Sequence, residues 1–360
     1  MSITSIFSRR TARAGIATAA IAAAVISLAG CSGSTPSSDT TPGDAGAADY
    51  GTVNLQLSWI KDVEFSGEFL ADSKGYFKDA GISTVNMTPG PSTGTSELLS
   101  GKADVALSDA VSVGSAVSQG QPLKIIGTEF QKNPFTILSL GEKTPLKSPK
   151  DLIGKKIGVD DSNTVLFNAF LSVNGIDPKD VTVVPGQFNG PALLESGQVD
   201  GYVSYLTNEG IQVELDGYTP VNLAFADFGL PFVAETVTVT QDSIDNDRDK
   251  LVAFLKAEVQ GWSDFVKDPQ SGADLATGTY GKDLKLDPKL EAAAATAQAG
   301  LVATDETATN GLFTISDELQ QETIASLKAA GITTTAKDLF DMSLLADVYK
   351  ANPDLVDYSK

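Results

Sequence analysis

From Val53 onward the chain alternates short β-rich runs with helical patterns, and that alternation leaves few folds open. Strand patterns fall at 53–57, 85–87, 105–107 and 123–127. Helical patterns separate them at 67–78 (ending at Gly81), 95–100 and 111–118. A chain that returns through a helix after each strand builds an open, largely parallel sheet with helices on both faces. A second series begins after Asn133-Pro134-Phe135. It has strands at 156–159, 181–184, 200–204 and 221–223, and helices at 164–173, 191–196 and around 208–215. A long β run at 233–240 then points back to the first series. From Arg248 the pattern turns helical, at 250–267, 288–302, 317–330 and 344–351. The expectation is an α/β protein of two doubly wound lobes joined by two crossovers, near 134–140 and 229–236. Lobe one takes 51–135 and 233–360, with the C-terminal helices packed on it, and lobe two takes 136–232.

Composition removes several kinds of chemistry. The chain has no histidine, which excludes His-based acid/base catalysis, His-containing triads and His-ligated zinc. Its formal net charge is −20, a poor match to nucleic acid, whose binding depends on clustered Lys and Arg. Asp242-Ser243-Ile244-Asp245-Asn246-Asp247 lacks the spacing and central glycine of a calcium loop. No metal or cofactor is expected, and no catalytic residue.

The N-terminal stretch has the three parts of a secretory signal over 1–30. Basic Arg9, Arg10 and Arg13 come first, then an Ala/Ile/Val-rich run of about 15 residues, then small residues. A membrane span needs about 20. The run ends in Leu28-Ala29-Gly30-Cys31, which looks like a bacterial lipobox and makes Cys31, the only cysteine, a lipidation site. Residues 31–50 then form a flexible Ser/Thr/Pro/Gly-rich tether. Ser8-Arg9-Arg10 lacks the apolar pair of a twin-arginine signal, which favours the general secretory route. Without residues 1–30 the net charge becomes −23.

In open α/β sheets, ligands sit beyond the carboxyl ends of the strands. The loops there supply Trp59 and Phe65, then Ser92 and Thr93, then Ser108 and Asp109 from the first series. The second series supplies Asn163, Phe188 and Asn189, and Tyr205, Asn208 and Glu209. Glu68 follows in the first helix. Lys61 is the one basic residue among these loops. Aromatic faces with carboxylates and amides suit a planar, nitrogen-bearing ring better than a sulfonate or nitrate, although helix N-termini can hold anions. Several residues carry two readings. Trp59 is either a core residue at a strand end or a ligand platform. Ser92, Thr93, Ser108 and Asp109 are helix caps, ligand contacts, or both. Asn208-Glu209 is either an exposed helix start or a contact, and Asp160 and Asp161 read as solvated turn residues.

The segments Leu55-Gln56-Leu57-Ser58-Trp59, Phe65-Ser66-Gly67-Glu68-Phe69, Gly75-Tyr76-Phe77-Lys78 and Gly81 follow one another in order. Downstream come Leu99-Ser100-Gly101-Lys102-Ala103-Asp104-Val105, then Lys150-Asp151-Leu152-Ile153-Gly154-Lys155-Lys156-Ile157-Gly158, then Gly197-Gln198-Val199-Asp200-Gly201. Together, over about 55–350, they resemble the thiamine-pyrimidine synthase-like solute-binding proteins of ABC importers. The resemblance implies a type II periplasmic-binding-protein fold closing on one small solute. It further implies a monomer tethered to the outer face of the membrane by a lipid, with an ABC permease and its ATPase as partners. Relatives take pyrimidine precursors of thiamine, riboflavin, sulfonates, taurine or nitrate. The Phe65–Phe69 step is closest to the vitamin-precursor and flavin branches, although some pyrimidine binders carry histidine where Phe65 stands. Enzymatic relatives consume their own histidine, which this chain lacks, so no enzyme is expected. The leading expectation is capture of a thiamine precursor, thiamine or a riboflavin-like ring. Alternatives are a sulfonate, taurine or nitrate receptor, and, more remotely, an extracellular sensor or enzyme.

Overall fold

The computed structural model describes residues 48–186 and 190–359. The Cys31 lipidation site, the tether up to Ala47, and Phe188 and Asn189 lie outside the described residues. The chain opens with β1 (Gly51–Gln56), α1 (Ser66–Ser73), α2 (Tyr76–Asp79), β2 (Ile82–Thr88), α3 (Thr95–Leu99), β3 (Val105–Asp109), α4 (Ala110–Ser118) and β4 (Leu123–Phe130). Then follow β5 (Phe135–Leu140), β6 (Lys156–Val159), α5 (Thr164–Val173), β7 (Thr182–Pro185), α6 (Gly190–Ser196), β8 (Gly201–Tyr205), α7 (Glu209–Leu215) and β9 (Pro220–Ala224). β10 (Ala234–Thr240) leads into the helical C-terminal part. Its helices are α8 (Gln241–Asn246), α9 (Arg248–Lys267), α10 (Pro269–Leu275), α11 (Pro288–Val302), α12 (Asp305–Asn310), α13 (Asp317–Ala329), α14 (Ala336–Leu339) and α15 (Ser343–Ala351).

Two five-stranded sheets result, ordered β2-β1-β3-β10-β4 and β7-β6-β8-β5-β9. In the first, β1 runs parallel to β2 and β3, and β10 runs antiparallel to β3 and β4. In the second, β6 runs parallel to β7 and β8, and β5 runs antiparallel to β8 and β9. One strand in each sheet therefore opposes the other four. The chain passes between the sheets twice, as expected, over 131–134 and 225–233. Most of 134–140 is strand β5, and 229–236 runs into β10. Phe-Thr-Ile-Leu-Ser-Leu of β5 is buried throughout, so it has neither the alternation of a half-exposed strand nor a helical period. The links proper are short. Asn133 N–H donates to Phe232 O at 2.9 Å, and Asn133 Nδ2 donates to Leu230 O at 3.0 Å. The outgoing and returning links are thus tied to each other.

The helix expected over 67–78 is two helices, because Gly75 takes φ 82 and caps α2 from the left-handed region. α1 is clamped to the 20-residue α9. A Cβ on Gly67 would run into the indole of Trp262, and one on Gly261 would meet Gly67 O. The glycine of the Phe65–Phe69 segment is thus a packing requirement between two helices. Phe65, Phe69, Trp262 and Phe265 are all buried around that contact. Their rings meet edge-on, Phe65 with Phe69 and Trp262 with Phe265.

Candidate functional site

The carboxyl ends of β1, β3, β6 and β8 point toward one cleft between the sheets. The antiparallel strands β5 and β10 begin there. The cleft holds about 590 Å³ of space not filled by atoms, open solvent at its mouth included.

Its first wall belongs to the first sheet. Ser58 and Trp59 follow β1, and Glu64 sits in a short helical turn at Val63–Phe65. Ser92 and Thr93 come from the loop before α3, and Ser108 and Asp109 end β3. That loop is pinned beneath Trp59. Gly90 N–H donates to Trp59 O, Ser92 N–H to Ser58 O at 2.9 Å, and Ser108 Oγ to Thr93 O at 2.7 Å. Asp109 caps α4. Its Oδ1 accepts from Val111 N–H and Ser112 N–H at 2.8 and 2.9 Å, and its Oδ2 accepts from Ser112 Oγ at 2.6 Å. Burial raises its proton affinity, and these three donors oppose that rise. A carboxylate therefore already occupies the positive end of α4, where an anionic ligand would otherwise bind.

The second wall comes from the other sheet. Asp160, Ser162 and Asn163 follow β6, Ser204 and Tyr205 end β8, Asn208 and Glu209 open α7, and Phe135 starts β5. Phe135 and Tyr205 pack edge-on with centroids 4.6 Å apart. Asp160 is 3% exposed and accepts from Tyr202 OH at 2.5 Å. Its expected place as a solvated turn residue is therefore corrected. Glu209 Oε2 accepts from Tyr205 N–H at 3.0 Å, and burial raises the Glu209 carboxyl.

One residue ties the walls together. Glu235, on β10, takes φ 46 where the pairing register to β3 shifts. A bulge with a left-handed, non-glycine residue costs on the order of 1–3 kcal/mol and re-aims a side chain. Here it turns the carboxyl into the cleft, where Oε2 accepts from Ser58 Oγ and Oε1 from Tyr205 OH, both at 2.9 Å. The second bond crosses from one sheet to the other. Burial raises Glu235 to about 7, against hydrogen bonds from Glu64, Ser58 and Tyr205 that favour its charged form. Glu64 is pushed well up by burial and by the neighbouring charge of Glu235. A smaller side pocket lies behind Glu64 and Tyr205, lined also by Asp62, Asn208 and Glu291. Burial, then the Glu291 charge, drives Asp62 well above the ordinary carboxylate range.

Of the residues singled out in sequence, Trp59, Ser92, Thr93, Ser108, Asp109, Asn163, Tyr205, Asn208 and Glu209 line one cavity. Phe65 and Glu68 do not. Both are fully buried in the first lobe, because the turn that presents Glu64 to the cleft turns its neighbour Phe65 into the core. Glu68 lies behind the wall with Glu129 and Glu258, accepting from Trp262 Nε1 at 3.4 Å. Glu64, Asp160, Glu235 and Phe135 escaped sequence reasoning as contacts. Glu235 did leave a signal, as the only charge in the run Val-Ala-Glu-Thr-Val-Thr-Val-Thr. Among the described lining residues there is no lysine or arginine.

The family described as NMT1/THI5 like matches residues 62–272. The riboflavin-binding protein RibY of Chloroflexus aurantiacus is 26% identical over 238 residues. That match takes in 62% of this chain and 65% of RibY, just under two thirds of that protein's length. The formylaminopyrimidine-binding protein of Halalkalibacterium halodurans is 24% identical, over 62% of this chain and 69% of its own. The 4-amino-5-hydroxymethyl-2-methylpyrimidine phosphate synthase THI5 of Saccharomyces cerevisiae is 29% identical, over 63% and 74%. Among solved structures, the alkanesulfonate-binding protein SsuA of Xanthomonas axonopodis superposes with a TM-score of 0.61 at 15% identity, covering 81% of this chain and 96% of that one. The periplasmic nitrate-binding protein NrtA of Synechocystis superposes with 0.63 at 13%, covering 85% and 90%. These superpositions establish the two-lobed periplasmic-binding-protein fold.

Proposed function

The chain belongs to the NMT1/THI5-like family, and we propose that within it this member is a non-catalytic receptor for a small planar nitrogen heterocycle. The ligand class is a thiamine pyrimidine precursor, thiamine or a riboflavin-like ring. One observation carries the reading: the cleft is walled by Trp59, Tyr205 and Phe135 and, among the described residues, lined by five carboxyl groups and no lysine or arginine. Aromatic faces stack on a flat ring, and carboxyls accept hydrogen bonds from ring N–H and exocyclic amino groups. Asn163, Asn208 and Glu209 supply further polar anchors from the second lobe. An oxyanion such as a sulfonate or nitrate meets five carboxyl groups here and no lysine or arginine among the described lining residues, and Asp109 has filled the positive end of α4.

In this reading the lobes are 51–135 with 233–360, and 136–232, and they close by rotation about the two links tied through Asn133. The closed, loaded form is delivered to a permease. A lipid on Cys31 and the tether keep the receptor near it, which raises the effective concentration of the pair. The receptor works as a monomer on the outer face of the membrane. The synthases among its relatives differ from it in reaction, because nothing in this cleft offers a histidine.

The test is ligand-induced thermal stabilisation, since a ligand that binds only the native state raises apparent stability. Aminopyrimidine precursors, thiamine or riboflavin are expected to raise the melting temperature, and taurine and nitrate to leave it unchanged. A shift with the anions alone overturns the reading. Turnover of a bound pyrimidine by the purified protein overturns the non-catalytic assignment.

A further inference from the structure

We propose that the cleft selects a cationic ligand and exchanges the proton shared by Glu64 and Glu235 for that ligand's positive charge. This rests on the heterocycle reading above and names the charge of the ring's substituents.

The geometry distinguishes the two carboxyls. Both oxygens of Glu235 accept hydrogen bonds, one from Ser58 Oγ and one from Tyr205 OH. Glu64 and Glu235 are both buried, line the same cavity and act on each other's proton affinity. Two buried carboxyls that act on each other, with no base among the described residues lining their cavity, hold one proton between them. Glu235, already furnished with two donors, is the charged member, and Glu64 carries the proton. The groups that bear on the pair come from several elements: Asp62 beside Glu64, Glu209 from α7, and Glu68 and Glu129 from the core behind the wall. Tyr205 adds a hydroxyl, and no lysine or arginine is among the described residues that line the cleft. The neighbourhood is therefore uniformly acidic, and only a proton or an incoming cation can neutralise it.

A cation entering between Trp59 and Tyr205 supplies that neutralisation from the cleft side. Glu64 then gains more from facing the cation as a carboxylate than from holding its proton, and the proton leaves to solvent. Charge balances: one positive charge enters and one proton departs. A neutral ring of the same shape offers no such exchange, so it binds over the protonated pair with no proton released. Binding of the cation consequently tightens as pH rises toward the range where the pair ionises by itself, by up to tenfold per pH unit.

Two pyrimidines serve as probes. 4-Amino-5-aminomethyl-2-methylpyrimidine carries an ammonium group at neutral pH, and 4-amino-5-hydroxymethyl-2-methylpyrimidine has a neutral hydroxyl in its place. Isothermal titration of the full chain at pH 6.5 in phosphate, Hepes and imidazole, whose ionisation enthalpies differ, counts protons released. The aminomethyl compound is expected to bind at least about tenfold tighter and to release between half a proton and one. Glu64→Gln, which imitates the protonated carboxyl, is expected to bind it about tenfold more weakly and release none. Equal binding of the two probes without proton release overturns the inference and leaves the heterocycle reading standing. So does tighter binding of the hydroxymethyl compound. Proton release that persists undiminished in folded Glu64→Gln also overturns it. Binding of taurine or nitrate with neither pyrimidine bound overturns both.

Discussion

Glu291 offers a direct measure of what acid burial costs this protein. It lies on α11, 4% exposed, and its Oε2 accepts from Val63 N–H at 2.8 Å. Burial, with repulsion from Asp287 added, raises it from 4.5 to about 7 against the pull of that one hydrogen bond. For an acid whose proton affinity is higher in the folded state, the folded form binds more protons than the unfolded one between the two values. Stability is therefore full below about pH 4.5, falls as pH rises, and levels off above about 7. The gap, at about 1.4 kcal/mol per pH unit, amounts to about 3 kcal/mol. Glu291→Gln keeps an acceptor for Val63 N–H and cannot ionise. Its stability relative to the parent should therefore improve by about 3 kcal/mol between pH 4 and pH 8, whatever the offset at pH 4. Asp62 acts in the same direction, because it loses the Glu291 charge that helps to raise it. Urea unfolding at one-unit pH steps, followed by tryptophan fluorescence, measures both curves. Two curves separated by a constant amount across that range would refute the reasoning.

Gly67→Ala should destabilise the protein by about 1–3 kcal/mol through overpacking against Trp262, although alanine is the better helix former by about 1 kcal/mol; a raised unfolding midpoint contradicts the account of the α1–α9 contact. Tyr205→Phe removes the donor that reaches Glu235 across the cleft. A hydrogen bond to a charged partner is worth about 1.5–3 kcal/mol, so unfolding free energy at pH 8 should fall by that much, and an unchanged unfolding midpoint rules out a cross-lobe role. Asn133→Ala breaks the bond to Leu230 O between the two links; hydrogen exchange at 230–233 should quicken while that in β3 stays slow, and uniform quickening means the links are no separate unit.

The two lobes and the loops at the strand ends were legible in sequence because strand and helix periods alternate cleanly over 53–127 and 156–223. β5 was not, because it is buried on both faces and Phe-Thr-Ile-Leu-Ser-Leu shows neither strand alternation nor a helical period. The cleft was legible by loop position and less so by side chain. Trp59, Asp109 and Tyr205 line it as strand-end residues do, whereas Phe65 and Glu64 exchange the places that residue type assigns them. That exchange depends on the short turn at Val63–Phe65, whose start Asp62 caps by accepting from Glu64 N–H at 3.0 Å. A rotation of one position about such a turn sends an aromatic into the core and a carboxyl into the cleft, and no composition rule foretells it.

β5, which sequence reading placed within a crossover, and β10, which it read as a returning β run, bring the cleft residues and the two links close together. β5 and β10 each follow a link directly, and each runs against its neighbours. In a sheet whose other strands end at the cleft, only an antiparallel strand begins there. The first residue of β5 is Phe135, and the second of β10 is Glu235. Each link therefore delivers a cleft residue to the opposite sheet within a few residues of the turning point. The proposed rotation about the links would change the separation of Glu235 and Tyr205 across the cleft, where Phe135 packs on the Tyr205 ring. A ligand that adds contacts to both sides acts close to the axis it must turn. In the proposed closure, the Tyr205–Glu235 bond across the cleft acts together with helix packing that also joins the two sides, α4 against α5 and α7 against α11.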